Sequence, residues 1–232
     1  MASAVTEEYL ETIYNMTMEG EPVIGARLAE KFRVSRPTVT ETIRRLVSDG
    51  YVVQHGDKSV TLTPTGRELT EQVLRRHRLA ERLLFDVLGM DWIAAHEHAH
   101  ELEHSMSSEL ERQISQRLGH PSTCPHGNPI PGNATSGVAF LKEQQAFRLS
   151  DARPGQTVRV VLISEVVEDE TEVLRRLSDT GIHPRALVTI LDPDSTSAVV
   201  FEARNQVRTM PHDLASKIWV ADHAPAENGG AS

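Results

Sequence analysis

The chain has 232 residues, 39% of them hydrophobic and 25% charged, which is ordinary for a protein of two or three globular domains. No apolar run approaches the ~18 residues that a membrane span needs, and the acidic start lacks the apolar core of a signal peptide, so we expect a cytoplasmic protein without membrane contact. The single cysteine, Cys124, excludes an internal disulfide framework, and the net charge of −9 argues against a protein that is basic throughout.

The charge is unevenly distributed along the chain. Residues 22–60 hold seven basic and four acidic side chains, which is a net +3, whereas residues 1–80 are neutral and the whole deficit falls after residue 80. A basic segment joined to an acidic remainder is compatible with phosphate binding by that segment alone.

The N-terminal third predicts a winged helix-turn-helix. Apolar residues at helical spacing indicate a helix over 6–18 and a short helix over 24–32, and a third helix opens at Pro37 with Ser35 as its N-cap. Two β-rich runs, 51–54 and 59–62, flank a turn and indicate a hairpin. This order is typical of a winged helix, and we assign it residues 1–72.

The middle of the chain is predicted to be helical, in a domain over 73–137. One helix is expected over 65–87 and a long one over 92–118. Eight glycines and prolines punctuate residues 119–137, which excludes a regular element there.

The last third changes to a strand pattern. After an expected linker over 138–153, β-rich runs at 158–163, 187–191 and 198–203, interrupted by a helix over 170–179, predict a small β-barrel of SH3-like size over 154–222. Residues 223–232 are expected to be a disordered tail. The fold class is therefore α+β.

Histidines and glutamates are concentrated on the predicted helices. Six of the eleven histidines fall within residues 96–126, and His100, Glu103 and His104 share one helix face, with His96 one turn earlier. Two imidazoles and a carboxylate on one face can hold a divalent cation if other elements complete the shell. Other helices offer further pairs at the same spacing, namely His77 with Glu81 and Glu8 with Glu11.

Two other function classes fit parts of this pattern. The run from His100 to His104 matches H-x-x-E-H, in which the glutamate would be the general base of a zinc hydrolase. A metal-buffering protein without a DNA function would also be rich in histidine. The sequence contains no nucleophile elbow, P-loop or dinucleotide-binding fingerprint.

Four stretches together resemble the diphtheria toxin repressor family, which includes iron-dependent regulators and manganese transport regulators. They are GARLAEKFRVSRPTVTETIRRLVSDGYV, TLTPTGRELTEQVLRRHRLAERLLFDVLG, the ELEH helix end and PHGNPIPG. The resemblance implies a non-enzymatic, metal-dependent homodimeric repressor of metal-homeostasis genes that binds a palindromic operator in double-stranded DNA. It also implies an all-α dimerisation and metal-binding domain and a C-terminal SH3-like (FeoA-like) barrel.

The resemblance further implies two metal sites. The primary site would use Glu8, His100, Glu103 and His104. The ancillary site would use His77, Glu81, His96 and two barrel residues, Glu165 and Glu168.

This chain departs from the family at several of these positions. Iron-type members carry Met at the position of Glu8 and Cys at that of His100, whereas manganese-type members carry acids at both and a further acid where Glu11 stands. Some manganese-type members use a Cys-x-His pair, which Cys124 and His126 match, so either this pair or the two barrel acids complete the second site. The chain keeps acids at Glu8 and Glu11, close to the manganese type, but carries His at position 100. On the match at Glu8 and Glu11 we expect Mn²⁺ as the activator, with Fe²⁺ as the alternative and with Zn²⁺ or Co²⁺ able to bind in vitro.

The same resemblance places the third helix in the major groove. Base edges would be contacted by Ser35, Thr38 and Glu41, and thymine methyl groups by Pro37 and Thr38. Phosphates would be contacted by Arg27, Arg36, Arg44 and Lys58.

Overall fold

The computed structural model describes residues 3–135, 137–165, 171–191 and 197–223. The chain divides into two units, 1–140 and 141–232, and each is described by itself.

The first unit begins with the winged helix that the sequence predicts. Its elements are α1 (Ala4–Met18), α2 (Gly25–Lys31), α3 (Arg36–Ser48) and the antiparallel hairpin of β1 (Val52–Gln54) and β2 (Val60–Leu62). Ser35 caps α3 as expected, because its Oγ accepts the Thr38 N–H at 3.3 Å. Side chains such as Leu10, Ile13 and Leu46 form the core, so that the polar side of α3 remains exposed.

Three helices follow, where the sequence predicts two. They are α4 (Pro64–Asp86), α5 (Trp92–Glu103) and α6 (Ser108–Arg117), so the prediction of one long helix over 92–118 is wrong. Ser107 starts a new helix because its side chain accepts the Leu110 N–H at 3.2 Å, and acids in the first turn favour that N-terminus. Met106, which is buried in the core beside Ala99 and Ile114, turns the chain inward between the two helices.

The segment expected to be a linker, 138–153, contains regular structure. It holds α7 (Val138–Glu143), the short strand β3 (Phe147–Arg148) and a 3-10 turn over Leu149–Asp151. Leu149 is fully buried, and the Arg148 guanidinium lies 3.9 Å from the centre of the Trp219 ring. These contacts hold the end of the segment against the sheet of the second unit.

The second unit is an SH3-like sheet domain, and its described residues form six antiparallel strands in the order β3-β8-β4-β5-β6-β7. The strands after β3 are β4 (Thr157–Ile163), β5 (Leu187–Leu191), β6 (Ala198–Ala203), β7 (Gln206–Pro211) and β8 (Ile218–Asp222). In the described part of this unit two helices accompany them, α8 (Thr171–Thr180) and α9 (His212–Ala215). The three strands and the helix that the sequence predicts are confirmed. Strands β3, β7 and β8 are not predicted from the sequence: β3 has only two residues, and β7 buries only one side chain, Met210, whereas β8 is a well-buried strand that the strand pattern did not identify.

Two further expectations from the sequence concern the C-terminal tail and membrane spans. The predicted tail, 223–232, lies outside the described residues except for His223, whose N–H donates to Thr157 O at 3.0 Å. Across the part of the chain that the structure describes, no helix is both long and apolar enough to cross a bilayer.

Candidate metal centre and nucleic-acid interface

Helices α4 and α5 bury a polar cluster between them. His77 and Glu81 are one turn apart on α4, and His96 lies on the facing side of α5. His126, from the loop after α6, joins them and is fully buried. We call His77, Glu81, His96 and His126 the buried histidine cluster.

One carboxylate oxygen lies at the centre of this cluster. Glu81 Oε1 is 2.9 Å from His96 Nδ1, 3.1 Å from His126 Nδ1 and 3.3 Å from His77 Nε2. The four side chains are almost completely removed from solvent, so their contacts act in a medium of low polarity. The sequence predicts that His77, Glu81 and His96 lie together, and the structure brings them together.

A rigid loop places His126 in the cluster. The Cys124 N–H donates to Asn128 O at 2.9 Å, and the turn passes through Gly127 at φ +92°, a conformation that a side chain would strain. The Trp92 ring packs 4.9 Å from the His126 ring. Cys124 Sγ is 3.9 Å from His126 Nδ1, the same nitrogen that faces Glu81.

A second, more open set lies beside the buried cluster. The buried Glu103 carboxylate accepts a hydrogen bond from His77 through Oε2 at 2.6 Å. Its other oxygen, Oε1, faces His104 Nε2 at 3.3 Å and His100 Nδ1 at 3.6 Å. We call His100 and His104 the exposed histidine pair, because their side chains are 50% and 56% exposed.

The acid that α1 contributes to this set differs from the expectation. Glu7 Oε2 lies 3.7 Å from His104 Nδ1, whereas Glu8 is exposed to solvent. The expected participation of Glu8, and of the half-buried Glu11 one turn later, stays a prediction.

The pKa values follow from burial and from these contacts. Burial lowers the pKa of His77, but the Glu81 and Glu103 carboxylates outweigh it and hold that pKa well above its usual range. For Glu103, burial raises the pKa, but hydrogen bonds from His100 and His77 bring it down to about 2. The histidines beside Glu81 likewise outweigh its burial and lower its pKa, whereas burial lowers the pKa of His96.

The donor set fits a divalent cation. Among the described residues, Glu81 Oε2 and His126 Nε2 are buried polar atoms without a hydrogen-bond partner, which is costly unless a cation or another group engages them. Two groups of three ligand atoms lie within 4.8 Å of one another: Glu81, His96 and His126, and His77, His96 and His100. Imidazole nitrogens and carboxylate oxygens at this separation are typical ligands of divalent metals.

The expected ancillary site also includes two residues of the barrel. Glu165 belongs to the second unit, where it is half-buried, and Glu168 lies outside the described residues. Their assignment stays a prediction.

The expected DNA-contacting residues lie on exposed faces of the winged helix. Arg36, Pro37 and Thr38 are exposed on the first turn of α3, and Glu41 and Arg44 follow and form an ion pair. Lys58 is exposed in the hairpin turn. This surface can present positively charged side chains to a DNA phosphate backbone while α3 enters the major groove.

Besides the Glu41–Arg44 pair, three of these residues are already engaged in local contacts. The Ser35 hydroxyl caps α3 and lies 2.8 Å from Thr38 Oγ1. The Arg27 guanidinium donates to Glu21 Oε2 at 3.0 Å. Because such contacts are at or near the surface, DNA can replace them at little cost.

Sequence reasoning missed three residues that shape the site. Glu7 is one, and its only signal was its position one residue before Glu8. The other two are Arg75 and the buried Arg78, whose guanidinium groups donate to Pro131 O and Pro129 O and fix the loop that carries His126. They stand in the RRHRLAER stretch, where the sequence alone indicates no structural role for the arginines.

Comparison with protein families gives three consecutive matches. Residues 1–60 match the model described as "Iron dependent repressor, N-terminal DNA binding domain", and residues 63–132 match "Iron dependent repressor, metal binding and dimerisation domain". Residues 147–222 match the FeoA domain.

Individual relatives are similar to this chain over most of its length. The iron-dependent repressor IdeR of Mycobacterium leprae is 38% identical over 220 residues, which is 93% of this chain and 96% of the relative. The diphtheria toxin repressor of Corynebacterium diphtheriae is 42% identical over 193 residues, 82% of this chain and 85% of the relative. A solved manganese-dependent transcriptional repressor in complex with manganese superposes with a TM-score of 0.77 at 31% identity and covers 94% of this chain and 100% of that one.

Proposed function

The chain belongs to the diphtheria toxin repressor family of metal-dependent, dimeric, DNA-binding transcriptional repressors, and on that premise we propose that it is activated by manganese to bind a palindromic operator of metal-homeostasis genes. The observation that carries the proposal is the meeting of α1 with the C-terminal end of α5 at Glu7 and the C-cap residue His104, 3.7 Å apart. Helix α1 is part of the winged helix, so a cation held at this point can govern the position of the DNA-binding domain.

The competing hydrolase hypothesis loses support at Glu103. In that hypothesis Glu103 would be a general base beside a metal-bound water, but its carboxylate is buried and accepts a hydrogen bond from His77. The relatives are repressors, which favours a non-enzymatic protein at the level of the family.

The proposed primary ligands are the exposed histidine pair, Glu103 and the α1 acid Glu8. The proposed ancillary ligands are the buried histidine cluster with Cys124 or the barrel acids Glu165 and Glu168. A divalent cation supplies the positive charge that lets these carboxylates converge. Without it, Glu7, Glu8 and Glu103 repel one another, which favours a looser contact between α1 and α5.

Manganese is proposed because of the donor types in the exposed set. Glutamate oxygens and imidazole nitrogens offer no thiolate there, and carboxylates suit Mn²⁺. Iron is the second candidate, since the Mycobacterium leprae relative is an iron-dependent repressor whereas a solved neighbour is manganese-dependent. Softness of the donors does not separate these two ions, so the physiological metal has to be tested in cells.

The switch follows from linkage. If the cation binds better when α1 and α5 are held together, it shifts the population toward that arrangement. In a dimer this also fixes the spacing of the two α3 helices, which has to match half-sites one DNA turn apart in an operator of roughly 20 base pairs.

The structure offers an apolar face for the dimer. Phe85, Val87 and Leu88, which follow one another at the C-terminal end of α4, are exposed. Exposed apolar groups close together favour burial against another protein surface. We assign this face to the second copy of the chain.

The test is operator binding with and without Mn²⁺, in wild type and in two histidine variants of α5. We expect His104→Ala to lose Mn²⁺-dependent binding, because it removes a ligand that bridges to α1, and to keep the fold, because the side chain is half exposed. His98→Ala, a change at an exposed residue of the same helix, should behave as wild type. Equal binding by apo and loaded wild type would refute the proposal.

The choice of metal is tested by a reporter in cells. We expect repression that follows the manganese supply. Repression that responds to iron and ignores manganese would show that Fe²⁺ is the activator and that the manganese assignment is wrong.

A further inference from the structure

The hairpin of the winged helix is balanced in charge except for one histidine. Over residues 51–62 the charged side chains at neutral pH are Asp57 and Lys58, which cancel each other. Asp57 stays ionised, because hydrogen bonds from the Ser59 hydroxyl at 2.6 Å and from the Ser59 N–H at 3.0 Å lower the pKa of its carboxyl. The hairpin therefore has a net charge of zero when His55 is neutral and +1 when His55 is protonated.

The His55 ring is held on the solvent side of the hairpin. Its Nε2 lies 2.8 Å from the hydroxyl oxygen of Thr61, and both residues are exposed. The opposite side of the hairpin is apolar, and there Val52 and Val60 are buried in the core. A ring that is held through Nε2 leaves Nδ1 as the nitrogen available to a second partner.

The charges that act on His55 come from its own turn. Asp57 interacts electrostatically with His55, and Lys58 follows Asp57 in the chain. Helices α1, α3 and α4 pack against the hairpin at its apolar side, through core residues such as Leu10 and Leu46. Within the described part of the chain, these helices bring no charged side chain into hydrogen-bond or ion-pair contact with His55. The charge on His55 therefore depends on Asp57 and on what the exposed side of the hairpin meets.

The hairpin has a fixed position beside α3. Val39 of α3 and Val52 of the hairpin belong to one core. The Val60 N–H also donates to Val23 O at 2.9 Å, which ties the hairpin to the segment before α2. A helix in the major groove has phosphate backbone on either side of it, so an element fixed beside that helix meets phosphates.

Imidazole responds to such a neighbour by changing its charge. Histidine is the side chain that gains or loses a proton between pH 5 and 8, and a nearby anion favours the protonated form. A protonated ring has two N–H donors, one for each nitrogen. One donor can stay on Thr61 while the other engages an anion.

We propose that His55 contacts DNA as an imidazolium, with Nε2–H donating to Thr61 Oγ1 and Nδ1–H donating to a backbone phosphate. Operator binding then takes up one proton from solution at each of the two hairpins of the dimer. By linkage, the operator complex becomes tighter as the pH falls. This inference deepens the proposed function and rests on it, because it requires the DNA complex, but it does not require a particular metal.

The test compares full-length wild type with H55Q and H55K. The probe is a duplex of about 30 base pairs that the metal-loaded wild type selects from random sequence, long enough for two half-sites. Affinity is measured at about pH 6 and pH 8, at constant ionic strength and with the same saturating metal concentration. Any loss of metal in acid acts on all three proteins alike and cancels in the comparison.

We expect wild type to gain affinity relative to H55Q between pH 8 and pH 6. The gain should be roughly fivefold for each hairpin, which is the scale of one exposed charged contact. H55K, which is charged at both pH values, should keep at pH 8 the advantage over H55Q that wild type has at pH 6. Position 55 is exposed, so both variants should keep the fold.

The phosphate contact has a second signature in the salt dependence. At pH 6 the slope of log affinity against log salt should be less steep in H55Q than in wild type, by about one for each hairpin, and at pH 8 the two slopes should agree. The matched control is H223Q, which removes an exposed histidine outside the winged helix and should follow wild type in both measurements.

Three outcomes would overturn the proposal. One is an identical pH profile in wild type and H55Q. Another is a loss in H55Q that is equal at pH 6 and pH 8, which would mean that His55 contacts DNA without a proton. The third is a loss in H223Q as large as in H55Q, which would be a general effect of charge. All proteins carry the same metal load, so these comparisons are independent of the manganese assignment, whose failure would appear instead as equal binding by apo and loaded wild type.

Discussion

The buried histidine cluster and the exposed face of α3 use charge in opposite ways. Glu41 and Arg44 form an ion pair whose side chains are 72% and 70% exposed, whereas Glu81 holds three histidines with a side chain that is 1% exposed. Exposed pairs contribute little to stability, since water and salt screen them. Buried charges have to be paired, because an unpaired one costs several kcal/mol.

This difference indicates what each region is able to do. Because the α3 pair costs little to break, Arg44 and Glu41 can turn toward phosphates or bases when DNA arrives. The buried histidine cluster is already held together by contacts among its own side chains, so a cation bound there as proposed would replace one set of strong contacts with another. Mutations in the buried histidine cluster should therefore act on folding. Mutations on the exposed face of α3 should act on association with DNA.

The largest expected effect is the loss of the central carboxylate. Glu81→Ala leaves His77, His96 and His126 without their common acceptor, so we expect the free energy of unfolding in the presence of a chelator to fall by about 3–5 kcal/mol. The matched variant Glu41→Ala should change it by no more than about 0.5 kcal/mol. Urea unfolding measures both, and similar values for the two variants would contradict the comparison.

A smaller effect is expected from acid. The pKa of Glu103 falls from its ordinary value of 4.5 to about 2, so its contribution to stability is complete above pH 4.5 and is lost as the pH falls toward 2. This contribution is on the order of 3 kcal/mol. Chelator-treated wild type should lose stability over this range, and Glu103→Gln should lose less, because it has no carboxylate to protonate. If the stability of wild type and that of Glu103→Gln fell in parallel as the pH is lowered, Glu103 would not be held in its ionised form by its histidines.

Alkaline pH should also lower the stability of the protein, in this case through His77, the partner of Glu103. The pKa of His77 is raised, so its contribution is complete below its unfolded pKa, ~6.5, and is lost as the pH rises through the folded value. We expect His77→Gln to flatten the alkaline limb of the stability profile. An alkaline limb identical to that of wild type would contradict the assignment.

The smallest effect on the molecule itself is expected at the exposed face. Arg36→Ala should leave unfolding unchanged and lower the slope of log affinity for operator against log salt by about one, because one phosphate contact is lost. Arg112→Ala, which removes an exposed arginine from α6, is the control and should not change the slope. An unchanged slope in Arg36→Ala would place this residue away from the phosphates.

The sequence by itself determined the elements and their chemistry. Apolar periodicity located α1 to α4, the hairpin and three strands of the sheet, and Ser35 was identified as the cap of α3. Spacing of three and four residues placed His77 with Glu81, and His100 with Glu103 and His104, because such residues share a helix face whatever surrounds the helix. The resemblance to a family then supplied the DNA-binding and metal-binding roles.

Only the tertiary structure decided how these faces meet. The break between α5 and α6 depends on burying Met106, which periodicity does not reveal. The pairing of His126 with Glu81 depends on a loop held by Arg75 and Arg78, far away in the chain. Local spacing fixes which residues lie on one face, but packing fixes which face is opposite, and so the sharing of Glu103 between His77 and the exposed histidine pair could be found only in the folded molecule.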